Sequence, residues 1–197
     1  LYNRLTEQIH LRTFCLRECE AYVKAAGLAL NRNQILQYYM IFGGVPYYWG
    51  FLKKGLSLSQ NIDSILFEKD APLRDEFKYL YASVFKKPEN YVKIIEALGT
   101  KKVGMTREEI ITATKIPNSG DLTTKLEGLE SCGFIRKYNA FGMKKKNAIY
   151  QLMDCFTLFY FKFLKSEPTD EHFWTNQINT PAVNTWLGLA FERVCME

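Results

Sequence analysis

The feature that most constrains this chain is a series of three helix patterns followed by two strand patterns between residues 89 and 152. The first helix pattern, residues 89–98, places apolar side chains at i, i+3, i+4 and i+7, as an amphipathic helix does. The second begins at Thr106, which forms a Thr-x-x-Glu capping box with Glu109. A Pro-Asn-Ser-Gly sequence then predicts a tight turn before the third helix.

The remaining patterns complete a recognisable order. Residues 122–133 predict the third helix, because leucines recur at helical spacing and a glycine ends the pattern. Residues 134–138 and 148–152 predict two short strands, and the loop between them is rich in lysine. Three helices followed by a hairpin, with a tight turn between the second and third helices, are typical of a winged helix-turn-helix. The sequence therefore predicts such a domain over residues 87–153, with the hairpin as its wing.

The residues before this domain predict a helical bundle. Helix patterns cover residues 16–28, 31–42, 47–52, 57–69 and 71–86, the last with Pro72 at its start. A Gly-Gly-Val-Pro sequence interrupts them after Phe42, where glycine and proline break a helix. Residues 1–14 read as a short strand or extended entry segment, so the bundle itself is predicted over residues 15–86.

The residues after the predicted winged helix read differently. An aromatic helix pattern at residues 156–164 is apolar on nearly every side and should be buried. Residues 166–182 are polar and read as a linker, and a further helix begins near Trp186. We interpret residues 154–197 as a linker helix and the truncated start of another domain, and the chain as a piece of a longer polypeptide. The predicted fold class is mainly α, with one small β-hairpin.

The positive charge is concentrated in the predicted winged helix. The chain has 26 Lys and Arg against 21 Asp and Glu, and residues 99–153 account for the whole net charge of +5. The basic residues on or beside the wing are Arg136, Lys137, Lys144, Lys145 and Lys146. Such a patch can neutralise nucleic-acid phosphates. The third helix is acidic, however, and lacks the Arg, Asn and Gln side chains that read base edges. Non-specific DNA or RNA binding, docking on an acidic protein and a solvated hairpin all remain open.

Several functional classes are disfavoured by composition. Five cysteines at irregular spacing do not form a secreted disulfide framework, so we expect reduced thiols and a cytoplasmic protein. The cysteines and two histidines lack the usual zinc spacings, and no metal site is predicted. A hydrolytic triad is improbable without a Gly-x-Ser-x-Gly motif. No apolar run approaches the roughly 20 residues that span a bilayer, so no membrane contact is expected.

The order of motifs along the chain resembles that of a known family. The segments that carry the resemblance are LYNRLTEQIHLRTF, GGVPYYW, GFIRKYNAFGMKKKNAIYQLMDCFTLFYFKF, FW and WLGLAFERVC. Together they resemble the C-terminal half of prokaryotic AAA+/STAND-type ATPases, and among these the archaeal-ATPase-like family. In that family a P-loop ATPase core is followed by a helical lid, a winged helix and a restriction-endonuclease-like domain. The resemblance makes residues 1–14 the tail of the ATPase core, 15–86 the lid and 154–197 the start of the nuclease-like domain.

The resemblance also implies roles for particular residues. Gly44 and Pro46 match a Gly-x-Pro lid motif whose proline packs against the adenine of ATP. Arg4 matches an arginine near the end of the core that could stabilise γ-phosphate charge from a neighbouring subunit, with Thr6 a weaker candidate. Glu192 matches the first acidic position of the nuclease-like domain and is a weak catalytic candidate, although in this piece a solvated helix residue is the favoured interpretation.

The phosphate-binding elements of an ATPase are missing from these 197 residues. The sequence contains no Gly-x-x-x-x-Gly-Lys-Ser/Thr motif and no Walker-B strand. ATP and magnesium are therefore expected only in the full-length protein, and this piece should not hydrolyse ATP alone. We expect it to couple the nucleotide state of an upstream ATPase core to DNA or a protein partner. The alternatives are a freestanding winged-helix transcriptional regulator and, less favoured, a nuclease-type enzyme.

Overall fold

The computed structural model describes residues 11–139 and 148–196. In this part of the chain the protein is mainly helical and carries one small antiparallel sheet. The N-terminal helices are α1 (Leu16–Ala25), α2 (Arg32–Phe42), α3 (Pro46–Trp49), α4 (Leu58–Ile62) and α5 (Glu76–Val84). The elements that follow are α6 (Glu89–Gly99), β1 (Met105–Thr106), α7 (Arg107–Thr114), α8 (Gly120–Ser131), β2 (Ile135–Tyr138) and β3 (Ile149–Leu152). The C-terminal helices are α9 (Cys155–Phe159), α10 (Phe173–Gln177) and α11 (Pro181–Val194).

Local sequence signals set the limits of the N-terminal helices. Asn31 caps α2: its side chain accepts the amide of Gln34 at 2.9 Å, and the Gln34 side chain accepts the Asn31 amide at 3.0 Å. Gly43 ends α2 at a φ of 59°, a left-handed conformation that glycine adopts without strain. Pro46 then occupies the first turn of α3, where its missing amide hydrogen costs nothing.

The predicted helix over residues 71–86 is only partly correct. The α-helix covers Glu76–Val84, and Pro72 lies in a turn before it. The predicted helix over 57–69 is present as α4, which continues as a π-helical turn over Asp63–Phe67. The wider turn at its end brings Asp63 into the protein interior, with 1 % of its surface exposed.

The predicted capping box at the start of α7 is confirmed. Thr106 accepts the Glu109 amide, and the Glu109 carboxylate accepts the Thr106 amide at 2.8 Å. The sheet contains a strand that the sequence did not indicate, β1, which pairs antiparallel with β3. Since β3 also pairs with β2, the strand order is β1-β3-β2.

The C-terminal residues form more helix than predicted. Asp154 caps α9, which continues as a π-helical turn over Tyr160–Leu164. The prediction of a linker over 166–182 is wrong in part, because α10 lies within it and α11 begins at Pro181. The Asp63 carboxylate holds α10 in place by accepting the amides of Trp174 at 2.7 Å and Thr175 at 3.1 Å.

A single hydrophobic cluster runs through all these elements, from Cys19 in α1 to Ala190 in α11. Ring contacts connect α5 to the residues that follow it. Phe85 stacks on Tyr91 with centroids 3.8 Å apart, and Tyr81 contacts Phe134 at 4.8 Å. The boundary predicted near residue 87 is therefore crossed by a continuous core.

Candidate functional site

The Gly-Gly-Val-Pro turn is fixed against the segment that precedes α1. The amide of Phe14 donates to the Gly44 carbonyl oxygen at 2.8 Å, and the Tyr39 hydroxyl donates to the Phe14 carbonyl oxygen at 3.2 Å. A Cβ atom on Gly44 would lie 1.8 Å from that Phe14 oxygen. Only glycine fits this position, so the close backbone approach that the motif permits is used within the chain itself.

The residues that follow the turn face outward. Pro46 is exposed at the start of α3, and the Tyr47 side chain is 62 % exposed. The Tyr47 ring meets the half-buried Phe51 ring edge to face, with centroids 5.0 Å apart. We call Pro46, Tyr47 and Phe51 the turn surface. It presents flat apolar groups to the solvent, which suit contact with another flat apolar group.

The next two residues of α3 anchor the turn surface to the interior. The Trp49 indole Nε1 donates to the Gly43 carbonyl oxygen at 2.8 Å. The Tyr48 hydroxyl donates to Glu76 Oε1 at 2.9 Å, and its ring lies 5.3 Å from that of Phe156 in α9. Burial raises the pKa of Tyr48, and the nearby carboxylates of Asp154 and Glu76 raise it further. Tyr48 is therefore a neutral hydrogen-bond donor at physiological pH.

A second buried polar group lies at the start of α9. Asp154 Oδ2 accepts the Thr157 amide at 2.7 Å, and the Thr157 hydroxyl is bonded to the Tyr81 hydroxyl at 2.8 Å. Burial raises the pKa of Asp154, although its hydrogen bonds with Thr157 oppose the shift. Burial and the Asp154 charge also raise the pKa of Tyr81. These groups connect α5 and α9 just beyond the end of β3.

The basic residues predicted beside the wing differ in availability. Arg136 is half-buried: its Nε donates to Gln151 Oε1 at 2.8 Å, and its guanidinium carbon lies 4.9 Å from the Tyr138 ring centroid. Lys137 is exposed. Lys144, Lys145 and Lys146 lie outside the described residues. Arg136 thus supports the sheet, and Lys137 is the more accessible of the two.

The exposed face of α8 is acidic and hydroxyl-rich. Its exposed side chains are Asp121, Thr123, Thr124, Glu127, Glu130 and Ser131. Lys125 forms an ion pair with Asp121, and its side chain is only 12 % exposed. Arg107 bonds to the Asn118 side chain and the Ser119 carbonyl oxygen, both at 2.9 Å, and so fixes the turn between α7 and α8. This face carries no basic or amide side chain that could reach a base edge.

Of the weak catalytic candidates, Glu192 lies in the part of the chain that the structure describes. Glu192 pairs with Lys102 at 3.0 Å, and both side chains are 53 % exposed. Arg4 and Thr6 lie outside the described residues. In residues 11–139 and 148–196 there is no group of three or more His, Cys, Asp or Glu side chains suited to hold a metal ion. Glu192 is accordingly a surface ion-pair residue within this part of the chain.

Sequence reasoning missed three charged residues that are buried or nearly so. Asp63 and Asp154 act as helix caps, and Arg193 is 9 % exposed in α11. Asp154 stood within a recognised motif, but no sequence signal marked the other two.

No protein-family model matches the chain, and neither a curated protein nor a solved structure matches it. None of the helices in the described ranges is both long and apolar enough to span a membrane.

Proposed function

We propose that this chain is the lid and winged-helix region of an ATP-binding ATPase of the AAA+/STAND type. It couples the nucleotide state of an ATPase core to the binding of DNA or a protein partner. The observation that carries the proposal is the connection from the turn surface to the end of β3. Tyr48 follows the exposed Pro46 and Tyr47 directly, and it contacts Phe156 in the helix that leaves the sheet. Movement of the turn surface is thereby transmitted to that helix.

The turn has the properties that a nucleotide-sensing lid requires. Its backbone is held by the Phe14 amide and by the Trp49 indole, so Pro46 is presented at a fixed angle. Proline offers a rigid apolar face without a hydrogen-bond donor, which suits contact with an adenine ring. ATP and magnesium belong to the upstream core, whose tail is residues 1–14.

The winged-helix interpretation is supported by the order of elements. Helix α6, strand β1, helices α7 and α8 and the β2–β3 hairpin follow one another within residues 89–152. The tight turn between α7 and α8 and the antiparallel β2–β3 pair agree with that fold. On this interpretation α8 takes the place of the recognition helix, and the β2–β3 pair takes the place of the wing.

The charges favour a partner that binds the wing and not the outer face of α8. Lys137 is exposed on β2, and Lys144, Lys145 and Lys146 follow it in the sequence. Nucleic-acid phosphates or an acidic protein surface complement this charge, whereas the acidic side chains of α8 repel a phosphate backbone. We propose non-specific contact through the wing as the mode of binding. The protein is proposed to act in the cytoplasm.

The test uses the full-length gene product, with ATP binding measured by isothermal titration calorimetry. Pro46→Ala and Tyr47→Ala should each weaken ATP binding about 3- to 10-fold, because each removes apolar contact worth about 1 kcal/mol. Pro117→Ala is the matched control, since Pro117 is an exposed turn proline elsewhere in the chain. Unchanged affinity in both turn variants would overturn adenine contact. An upstream coding sequence without a P-loop would overturn the ATPase assignment, and tight sequence-specific duplex binding would then favour the regulator.

A further inference from the structure

A cleft of about 280 Å³ lies between α2, the end of α6, α9 with its π-helical turn, and α11. Its apolar lining is formed by Met40, Leu158, Phe161, Trp186 and Leu189. A Cβ on Gly99 would lie 2.6 Å from two carbons of the Phe161 ring, so glycine at this position lets α6 end directly against that ring. The volume is close to the lower limit of ligand pockets, about 300 Å³, which suits a small molecule.

Three cations line the same cleft: Lys102, Lys162 and Arg193. Lys102 forms an ion pair with Glu192, with 3.0 Å between the charged atoms. Lys162 is exposed and makes no ion pair with any described residue. The cleft therefore combines an apolar floor with a net positive rim.

Arg193 is the most unusual of these residues. The residue is 9 % exposed, and its guanidinium donates to the carbonyl oxygens of Leu152 and Lys102. Within residues 11–139 and 148–196 no carboxylate lies within ion-pair distance of it. Buried charges in proteins are normally paired, because an isolated ion loses its hydration without compensation. Burial also lowers the pKa of Arg193, although Cys155 and Glu192 oppose the shift.

The charged residues and the apolar residues of the lining suit different parts of one ligand. Carbonyl oxygens supply two hydrogen-bond partners to Arg193, and Glu192, which is paired with Lys102, acts on it only from beyond ion-pair distance. An anion in the cleft would therefore complement its charge directly. An inorganic anion would leave the rings of Phe161 and Trp186 uncovered. An apolar body attached to a carboxylate satisfies both, since burying such a body is favourable by about 25 cal/mol per Å².

We propose that this cleft binds a small amphipathic carboxylate, with the carboxylate beside Arg193 and Lys162 and an aromatic or branched apolar body on Phe161 and Trp186. The site is separate from the turn surface, whose residues do not line it. It joins α2, α6, α9 and α11, so a bound ligand braces the N-terminal helices against the C-terminal helix. The proposal stands whether or not the chain belongs to an ATPase.

The test uses the 197-residue chain with phenylacetate as the probe and its neutral analogue 2-phenylethanol as the chemical control. Binding is followed by the NMR shift of the Trp186 indole N–H, assigned with a Trp186→Phe variant, and by calorimetry. Phenylacetate should bind about tenfold more tightly than 2-phenylethanol, because a charge-assisted hydrogen bond contributes about 1.4 kcal/mol more than a neutral contact. Acetate alone should bind more weakly than phenylacetate.

Two variants locate the bound carboxylate. Lys162→Gln should weaken phenylacetate about 3- to 5-fold while leaving 2-phenylethanol unchanged, because an exposed cation contributes under about 1 kcal/mol. Lys93→Gln is the matched control, as Lys93 is exposed and lies outside the cleft lining. Equal affinity for the acid and the alcohol would overturn the anion site. No shift of the Trp186 signal with either probe would overturn the cleft as a binding site, and a Lys162→Gln effect matched by Lys93→Gln would show only general charge attraction.

Discussion

The hydroxyl of Tyr48 donates a hydrogen bond of 2.9 Å to the carboxylate of Glu76, which joins α3 to α5. Tyr48 follows the exposed Pro46 and Tyr47 in the sequence, and its ring also contacts Phe156 in α9. One side chain therefore holds three helices together. We expect the position of the turn surface to depend on this contact.

Removing the Tyr48 hydroxyl should destabilise the protein. Tyr48→Phe leaves the half-buried Glu76 carboxylate without this donor and should lower the free energy of unfolding by about 1.5 to 3 kcal/mol, as for hydrogen bonds to charged groups. Urea denaturation followed by circular dichroism measures the change. Tyr79→Phe is the control, because Tyr79 is 66 % exposed and should change stability little. Equal stability of both variants would show that the Tyr48–Glu76 bond does not hold α3.

Adding a methyl group at Gly44 should be more damaging. Gly44→Ala would place Cβ 1.8 Å from the Phe14 carbonyl oxygen, so the segment before α1 must move away. We expect a loss of about 3 kcal/mol, the upper end for overpacking. Gly188→Ala gives the opposite sign, since Gly188 lies within α11 with nothing near its Cβ position and alanine is favoured there by about 1 kcal/mol. A Gly44→Ala protein of native stability would contradict the observed contact with Phe14.

The Asp63 carboxylate should be required for α10. It accepts two backbone amides and the Thr175 hydroxyl, so Asp63→Ala leaves the buried Trp174 amide and two part-buried Thr175 donors without this acceptor, at a cost of about 3 kcal/mol. Hydrogen exchange of the Trp174 and Thr175 amides should accelerate. Asp70→Ala, an exposed change near the end of the same segment, is the control. Unaltered exchange in Asp63→Ala would mean that packing alone holds α10.

The ionisation of Asp154 should make the free energy of unfolding decrease as pH rises. Its pKa is raised above 3.8 in the folded state, mainly by burial. The folded protein therefore binds more protons than the unfolded chain between the two pKa values, and stability decreases across that range as pH increases. Asp154→Asn keeps an acceptor for the Thr157 amide and removes this ionisation. Its stability relative to wild type should increase from pH 3.5 to neutrality, measured by urea denaturation at several pH values.

Asp170 provides a control of opposite sign for that experiment. Hydrogen bonds from the Asn176 side chain and the His172 amide lower its pKa, so its contribution to stability is present above 3.8 and is lost as pH falls. Asp170→Asn should therefore lose stability relative to wild type as pH rises. Parallel pH curves for the two variants would contradict the assignment of burial as the cause at Asp154.

DNA binding through the wing should depend on salt. A variant with Lys144, Lys145 and Lys146 changed to Ala should lose duplex affinity, and its slope of log K against log salt should decrease by about 3, or 0.9 for each lost phosphate contact. Fluorescence anisotropy with a labelled duplex measures this. A charge-matched variant of Lys53, Lys54 and Lys69, which are exposed between the N-terminal helices, should behave like wild type. Absence of binding at low salt would instead favour a protein partner.

Local signals in the sequence predicted helices better than they predicted contacts. Each of the capping boxes at Asn31 and Thr106 lies within four consecutive residues. The start of its helix can therefore be predicted from the sequence alone. Strand β1 has two residues, which is too short for an alternating pattern, and it is stabilised only by pairing with β3. Helix α10 has no cap of its own and depends on Asp63, which is 111 residues away in sequence from Trp174.

The candidate site residues also differ in whether the sequence alone could identify them. The residue types alone identify Gly44 and Pro46 as candidates, because a Gly-x-Pro sequence constrains the backbone wherever it occurs. The burial of Arg193 could not be predicted from the sequence, because a helical arginine is usually solvated. Its burial results from packing of α11 against the loop before β1. The roles of Arg4, Thr6 and Lys144 to Lys146 stay predictions, because these residues lie outside the described ranges.

The continuous core determines how this protein can be dissected. Cutting the chain near residue 87 would separate Phe85 from Tyr91 and Tyr81 from Phe134, leaving large aromatic faces on both halves exposed to water. Such fragments are prone to aggregation. An expression strategy for the sheet and its helices should therefore retain α5 at one end and α11 at the other.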